Sequence, residues 1–209
     1  MSQLNGSPPA RGVIFDMDGT LVDSALDFAA MRREMGLPDG VPILEGLLEL
    51  SQSQRVAAHK VLDRHEAEGV RKARMMPGAA ELLADLRVHG LKLGLLTRNS
   101  TAVTRATMER VDLSLDVVVT RDDGPRKPDP AGVLSICEQW QIPPAEVVMI
   151  GDFRFDIEAG RRAGARTVLF TEGRDPAEIA WADEADLCVR SFVAERESLV
   201  AWCRGQCEG

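Results

Sequence analysis

Two aspartates two residues apart, Asp16 and Asp18, have the type and spacing that most directly suggest chemistry. They follow an apolar run at 13–15 (Val-Ile-Phe) that is typical of a short buried strand, and turn residues Gly19 and Thr20 come next. On an extended backbone, side chains two residues apart point to the same side. Two close carboxylates resist being ionised together unless they share a cation or a proton. The pair therefore predicts a metal site, a proton-transfer site, or both.

Polar side chains also follow three later runs that are predicted to be strands. These side chains are, in chain order, Thr97, Arg98 and Asn99, then Lys127, and then Asp152 and Asp156. In parallel α/β sheets, ligands bind at the carboxyl ends of the strands. Each residue alone has an ordinary structural explanation, such as a helix cap or a solvated loop charge. Their repeated occurrence at strand ends predicts one shared site.

Four carboxylates at one sheet edge would form an oxygen-rich site. Mg²⁺ binds a few carboxylates together with phosphate and water, so it is the cofactor that this composition favours. The expected metal ligands are Asp16, Asp18, Asp152 and Asp156. The sequence thus predicts a Mg²⁺ site whose remaining positions are open to an anionic substrate.

The same residues suit phosphoryl transfer, which needs in-line positioning and neutralisation of the phosphate oxygens. Asp16 is the expected nucleophile, and Asp18 would protonate the leaving oxygen and later activate water. The hydroxyl of Thr97 and the ammonium of Lys127 would hold the phosphate and count as catalytic. The full set of expected phosphate-binding residues is Gly19, Thr97, Arg98, Asn99 and Lys127, with backbone N–H groups adding donors in the turn at Gly19 and after Thr97.

From residue 78 onward, predicted helices alternate with predicted strands. The predicted strands cover 13–15, 91–97, 116–120, 147–150 and 167–170, with an edge strand at 186–189. The predicted helices cover 79–89, 100–111, 130–141, 156–163 and 193–203. This alternation indicates an α/β fold, a doubly wound parallel sheet of Rossmann-like type with helices on both faces.

Residues 24–76 contain helical patterns and no β-rich run. A helix over 25–35, capped by Asp23 or Ser24, and a helical stretch over 43–74 are predicted there. The domain prediction is therefore an α/β core formed by 12–23 and 77–209, with a small helical cap at 24–76. Residues 1–11 are predicted to be a disordered tail.

The composition narrows the class of protein. The chain has 209 residues and a net charge of −8, which argues against a general nucleic-acid binder or a ligand of anionic membranes. No apolar run approaches the roughly 20 residues of a membrane span, and no signal peptide is recognised, so a cytoplasmic location is expected. The cysteines are expected to be free thiols because their spacing fits no zinc motif; they are Cys137, Cys188, Cys203 and Cys207.

In this order, the motifs resemble those of the haloacid dehalogenase superfamily. Residues 16–24 (DMDGTLVDS) are similar to its first motif, Thr97 to its second, Lys127 to its third, and 151–156 (GDFRFD) to its fourth. The resemblance implies an aspartyl-phosphate on Asp16. It also implies that Mg²⁺ is bound by Asp16, the backbone carbonyl of Asp18, and Asp152, with Asp156 bound directly or through water.

Within this superfamily, an aspartate at the position of Asp18 implies phosphate-ester chemistry, and the sequence is similar to phosphoglycolate phosphatases. The cap region, 24–76, is short for the usual helical cap, which predicts small to medium substrates and broad tolerance. The cap's basic residues, Arg32 and Arg33 among them, are expected to lie mostly on solvated faces, paired with Glu34, Glu45, Glu66 and Glu68. The alternative is that some of them face the active site and select an anionic or hydroxylated leaving group.

Three functions are considered for a chain with these residues. The first is a Mg²⁺-dependent phosphatase acting on a small phosphorylated metabolite; the second is a phosphomutase of the β-phosphoglucomutase type. The third is a non-catalytic binding protein, which would not need Asp18 in addition to Asp16. Whether the protein is a monomer or a homodimer is left open.

Overall fold

The computed structural model describes residues 8–206 and contains a six-stranded parallel sheet with helices on both faces. The strands are β1 (Gly12–Phe15), β2 (Val22–Asp23), β3 (Arg74–Met75), β4 (Lys92–Leu96), β5 (Val117–Val119), β6 (Val147–Gly151), β7 (Arg166–Phe170) and β8 (Leu187–Val189). The helices are α1 (Phe28–Met35), α2 (Ile43–Glu49), α3 (Gln52–Lys72), α4 (Ala79–Val88), α5 (Thr101–Arg110), α6 (Ala131–Trp140), α7 (Arg154–Ala163) and α8 (Arg196–Cys203). The main sheet has the order β5-β4-β1-β6-β7-β8, which confirms the predicted fold class.

Strand β1 lies in the middle of the sheet, and its side chains alternate between the two faces. Val13 and Phe15 join a cluster with α4 and α8. Ile14 joins the opposite cluster with α6, and all three side chains are fully buried. Because both faces are covered, the strand is a continuous apolar run rather than an alternating one.

Helices α1 to α3 form an apolar cluster of their own, separate from those around the sheet. It includes Met31, Met35, Leu47 and Leu62. This packing is what a helical cap over 24–76 requires, while the domain bounds stay a prediction. We call helices α1 to α3 and their connecting loops the cap.

Two predictions within the cap are wrong in detail. Helix α1 begins at Phe28, because Asp27, rather than Asp23 or Ser24, accepts a hydrogen bond from the backbone of Ala30. The helical stretch over 43–74 is two helices, since Ser51 begins α3 with a capping box.

The chain passes between core and cap through a short antiparallel pair of strands that the sequence did not predict. In this pair Val22 lies opposite Met75, and Asp23 lies opposite Arg74. Strands of two residues carry too little periodicity to be recognised from sequence. The pair ties together the two chain segments that lead into and out of the cap.

The structured part of the chain begins earlier than the predicted tail, 1–11, allows. Ala10 is buried and donates its backbone N–H to the carbonyl of Cys203, and Arg11 forms an ion pair with Glu146. Residues 1–7 lie outside the described part, as does Cys207. The three described cysteines are free, as predicted.

Within 8–206, no helix combines the length and apolar character needed to cross a bilayer.

Candidate active site

The strand order places the predicted chemical groups side by side. β4, β1 and β6 are neighbours in the sheet, so Thr97, Asp16 and Asp152 all follow adjacent strand ends. A cavity of about 390 Å³ opens there, between the sheet edge and the cap. Its core wall includes Asp16, Asp18, Thr97, Arg98, Asn99, Lys127, Asp152 and Asp156.

Lys127 lies at the centre of this wall and is almost completely buried. Its Nζ lies 2.6 Å from Oδ1 of Asp16 and 2.6 Å from Oδ1 of Asp156. Burial alone would lower the pKa of Lys127, but the carboxylates of Asp156 and Asp16 raise it, so the ammonium stays charged. Lys127 therefore holds the Asp16 carboxylate in place with one of its oxygens engaged.

Asp16, Asp152 and Asp156 form a carboxylate cluster in which one oxygen of each side chain lies within 4.8 Å of the other two. Burial raises the pKa of Asp152 well above its usual range, and repulsion from Asp16 and Asp156 raises it further. Within residues 8–206, Asp152 forms no ion pair; its side-chain partner is the hydroxyl of Thr20, at 3.3 Å. Oxygen donors at this spacing, with one carboxylate lacking a counter-charge, fit a divalent cation.

Gly19 makes this crowding possible. It has a φ of +77°, and a Cβ on it would lie 2.5 Å from Oδ2 of Asp152. Any other residue would displace the Asp152 carboxylate or strain the turn. The N–H of Gly19 itself donates to the carbonyl of Val22 at 2.9 Å, and phosphate binding by this turn stays a prediction.

Asp18 lies in a different environment from Asp16. Its Oδ2 accepts a hydrogen bond of 2.6 Å from Nδ2 of Asn99, and its carboxylate is not part of the carboxylate cluster. Burial raises the pKa of Asp18 to about 6, with the Asp16 charge adding to the increase and the hydrogen bonds from Ser24 and Asn99 opposing it. Asp18 can therefore exchange a proton near neutral pH.

The residues after β4 have more specific partners than the sequence indicated. The Thr97 hydroxyl is buried in the wall and accepts the N–H of Asn99 at 3.1 Å. The side chain of Asn99 donates a hydrogen bond to Asp18. The guanidinium of Arg98 forms an ion pair with Glu45 on α2, at 2.5 Å. These contacts position Asp18 and join Arg98 to the cap, while the phosphate-binding roles of Arg98 and Asn99 stay predictions.

The cap supplies another wall of the cavity, with residues that the sequence did not predict to be part of the site. Its apolar part consists of Leu26, Phe28, Met31, Pro42, Ile43, Leu44 and Leu62, and its polar part of Arg32 and Glu66. From the core, Phe153 and Phe155 join them in an edge-to-face contact with 5.0 Å between ring centroids. Phe28 and Phe153 are each about half exposed, which signals apolar surface that faces the cavity.

The expected pairing of cap acids with cap bases holds in part. Arg64 pairs with Glu34, and Lys72 pairs with Glu68, both on exposed faces. Glu45 and Glu66, however, form ion pairs with arginines of the core.

Glu66 is buried and binds Arg121 at 2.8 Å, just as Glu45 binds Arg98. These two ion pairs join cap to core at the cavity, and only the tertiary structure shows them.

The family model for haloacid dehalogenase-like hydrolases matches residues 10–164, and the chain belongs to this family. A haloacid dehalogenase-like hydrolase domain-containing protein of Arabidopsis thaliana is 37% identical, over 80% of this chain and 74% of its own. An N-acetylmuramic acid 6-phosphate phosphatase of Pseudomonas aeruginosa is 32% identical, over 78% of this chain and 82% of its own. A phosphoglycolate phosphatase of Shigella dysenteriae is 28% identical, over 90% of this chain and 92% of its own. The predicted family and the prediction of a phosphatase-type hydrolase are confirmed.

Solved structures agree with this assignment. A hydrolase from Pseudomonas syringae has a TM-score of 0.75 and 26% identity, over 92% of this chain and 98% of its own. A structure from Thermotoga maritima described as a candidate beta-phosphoglucomutase has a TM-score of 0.72 and 26% identity, over 92% of this chain and 99% of its own. A hydrolase and a candidate mutase thus resemble this chain over almost its whole length.

The carboxylate cluster yields a first prediction. Asp152→Asn is isosteric and keeps an acceptor for Thr20, but it removes one of three crowded negative charges. We expect the metal-free variant to be more stable than the wild type by roughly 0.5–2 kcal/mol, because relieving an active-site repulsion stabilises the fold. Thermal unfolding with a chelator measures this, and added Mg²⁺ should stabilise the wild type but not the variant.

Asp39→Asn is the matched control for this experiment, because Asp39 is exposed in a cap loop and forms no ion pair within 8–206. It should unfold like the wild type with and without Mg²⁺. A metal-free Asp152→Asn variant less stable than the wild type would show that repulsion does not dominate at the cluster.

Proposed function

We propose that the protein is a Mg²⁺-dependent phosphatase that hydrolyses small-molecule phosphate monoesters through an aspartyl-phosphate on Asp16. One observation carries the proposal: two carboxylates two residues apart lie in environments suited to different tasks. Asp16 is ion-paired with Lys127, whereas Asp18 is bound by a neutral amide and has a pKa near 6. Such a division marks one group as nucleophile and the other as acid and base.

In the first step, an Asp16 oxygen attacks phosphorus while the bond from phosphorus to the leaving oxygen breaks. Asp18 gives its proton to that oxygen, so the alcohol leaves neutral. In the second step, Asp18 takes a proton from water, whose oxygen attacks phosphorus and breaks its bond to Asp16. Inorganic phosphate is released and both aspartates return to their initial states.

The remaining residues hold the phosphate. Lys127 positions Asp16 and places positive charge beside the reacting oxygens, and Thr97 offers a hydroxyl. Mg²⁺ would be held by Asp16, Asp152 and Asp156 together with the backbone carbonyl of Asp18, and it supplies charge neutralisation for the phosphate oxygens. The carboxylate cluster supports this assignment by its spacing and by the raised pKa of Asp152.

The proposal is tested by phosphate release from a panel of phosphorylated metabolites, including phosphoglycolate and N-acetylmuramic acid 6-phosphate. We expect release that requires Mg²⁺, is abolished by a chelator, and returns when Mg²⁺ is added in excess. Binding of Mg²⁺ should also raise the unfolding temperature, since a ligand specific to the folded state stabilises it. Turnover that persists unchanged in the chelator would contradict the metal requirement.

A phosphomutase is the second candidate function, favoured by the similarity to the Thermotoga maritima structure. A mutase keeps its phospho-enzyme from water and returns the phosphoryl group to a sugar. Rapid release of inorganic phosphate from several unrelated esters favours the phosphatase. Conversion of β-glucose 1-phosphate to glucose 6-phosphate with little release favours the mutase. The cytoplasmic location and the lack of nucleic-acid partners stay predictions.

A further inference from the structure

One cation in the active-site cavity lacks an anionic partner. Arg32, on α1 of the cap, lines the cavity and forms no ion pair within residues 8–206. Its Nε is buried without a hydrogen-bond partner. Buried donors in folded proteins are nearly always satisfied, and an unmet one calls for an acceptor. The Arg32 side chain lines the open cavity, where a substrate can supply an acid to the guanidinium.

Each carboxylate that lines the cavity has a hydrogen-bond or ion-pair partner other than Arg32. Asp16 and Asp156 bind Lys127, Asp18 binds Asn99, Asp152 binds Thr20, and Glu66 binds Arg121. None of these carboxylates neutralises Arg32 in the described chain.

Two other arginines in the cavity provide a comparison. Arg98 is neutralised by Glu45 and lies 4.6 Å from the Phe155 ring centroid, and Arg121 is neutralised by Glu66. Both join the cap to the core. Arg32 makes neither type of contact within residues 8–206, so its charge is free to meet a ligand.

The position of Arg32 determines which part of a substrate it meets. The phosphate belongs at the core wall, beside Asp16 and Lys127, whereas Arg32 belongs to the cap wall. Its neighbours on α1, Phe28 and Met31, line the same wall with apolar surface. A guanidinium in an apolar wall favours a planar or tetrahedral acid on the leaving group.

We propose that Arg32 is a specificity-determining residue that binds a second acidic group, a carboxylate or a second phosphate, on the leaving group of the substrate. The preferred substrates are then phosphate monoesters of hydroxy acids or bisphosphates, rather than esters of neutral alcohols. This inference rests on the proposed phosphatase function.

The experiment compares matched ester pairs that differ in the second acid. Phosphoglycolate is paired with 2-hydroxyethyl phosphate, and fructose 1,6-bisphosphate with fructose 6-phosphate. The measured quantity is the ratio of kcat/KM, acidic over neutral, for the wild type, Arg32→Met and Arg32→Lys. We expect the ratio to fall roughly 10- to 100-fold in Arg32→Met, the size of a hydrogen bond to a charged group, and to recover in part in Arg32→Lys.

The pair that shows the fall identifies the acid as carboxylate or phosphate. Arg33→Met is the matched control, because Arg33 is the adjacent residue on α1, is exposed and does not line the cavity. Its ratio should equal that of the wild type. An equal loss for all four esters in Arg32→Met would overturn the proposal, since it would place Arg32 on the shared phosphate or in a structural role. A wild-type ratio near one for both pairs would also overturn it.

Binding separates this inference from the proposed function. Calorimetric titration of the Asp16→Asn protein with each ester reports affinity without turnover. Adding Arg32→Met should weaken binding of the acidic ester and not of its neutral partner. If the wild type releases phosphate from no ester but this difference in binding is found, the phosphatase proposal fails and the role of Arg32 stands. If phosphate is released but binding does not depend on Arg32, the phosphatase proposal stands and the role of Arg32 fails.

Discussion

Asp16→Asn is expected to lower kcat for phosphate release by roughly 10⁴- to 10⁶-fold, the range for loss of a catalytic nucleophile. The amide is isosteric, but it has no anionic oxygen to attack phosphorus, so no aspartyl-phosphate can form. The variant should still fold, because Lys127 keeps its ion pair with Asp156 at 2.6 Å. Its folded state also loses one charge from the carboxylate cluster.

Two measurements check this result. Phosphate release gives kcat, and acid quenching of a reaction with ³²P-labelled ester shows whether label stays on the protein. The wild type and Asp39→Asn should both carry label during turnover, whereas Asp16→Asn should carry none. Activity within tenfold of the wild type in Asp16→Asn would remove Asp16 from the nucleophile role.

Lys127→Met is expected to impair both catalysis and folding. We expect kcat to fall by roughly 10²- to 10³-fold, as when one preorganised donor is removed from an active site. At pH 7.5 in a chelator, the free energy of unfolding should fall by about 3–5 kcal/mol. Loss of one partner from a buried ion pair leaves an uncompensated charge, and Asp156 is only 1% exposed.

The pH dependence of this stability loss follows from the carboxylates. Burial already raises the pKa of Asp156 to about 6, with Lys127 opposing the increase, so removing the ammonium raises it further. In the unfolded chain, an aspartate has a pKa near 3.9. Between these values the folded state binds more protons than the unfolded state, so the stability of the variant rises as the pH falls.

Urea unfolding at pH 7.5 and pH 5.0 measures this effect, with Lys60→Met as a control at an exposed cap position. The difference in stability between Lys127→Met and the wild type should be smaller at pH 5.0, because protonated Asp156 needs no counter-charge. A difference that is the same at both pH values would show that the loss comes from packing rather than from charge.

Local sequence signals determined most of the core fold. The apolar runs at 147–150 and 167–170 are buried on both sheet faces, and such runs between helical patterns define a parallel α/β sheet. The positions of Asp16, Thr97, Lys127 and Asp152 after predicted strands then placed them at one sheet edge, because parallel strands all end at the same edge. The helix boundaries within the cap were less predictable, since the start of α1 depends on one hydrogen bond to Asp27 and the start of α3 on the capping box at Ser51.

The tertiary structure alone decided which charges neutralise one another. Lys127 meets Asp16 across 111 residues, Arg121 meets Glu66 across 55, and Arg98 meets Glu45 across 53. The sequence contains the charges but not these distances, because no local pattern encodes a contact between an inserted cap and the core. What the sequence determined is therefore the fold class and the family, a phosphatase-type hydrolase. Only the packing of the cap against the core decided that Arg32 lines the cavity without an ion-pair partner among the described residues. The choice of substrate therefore depends on the tertiary structure.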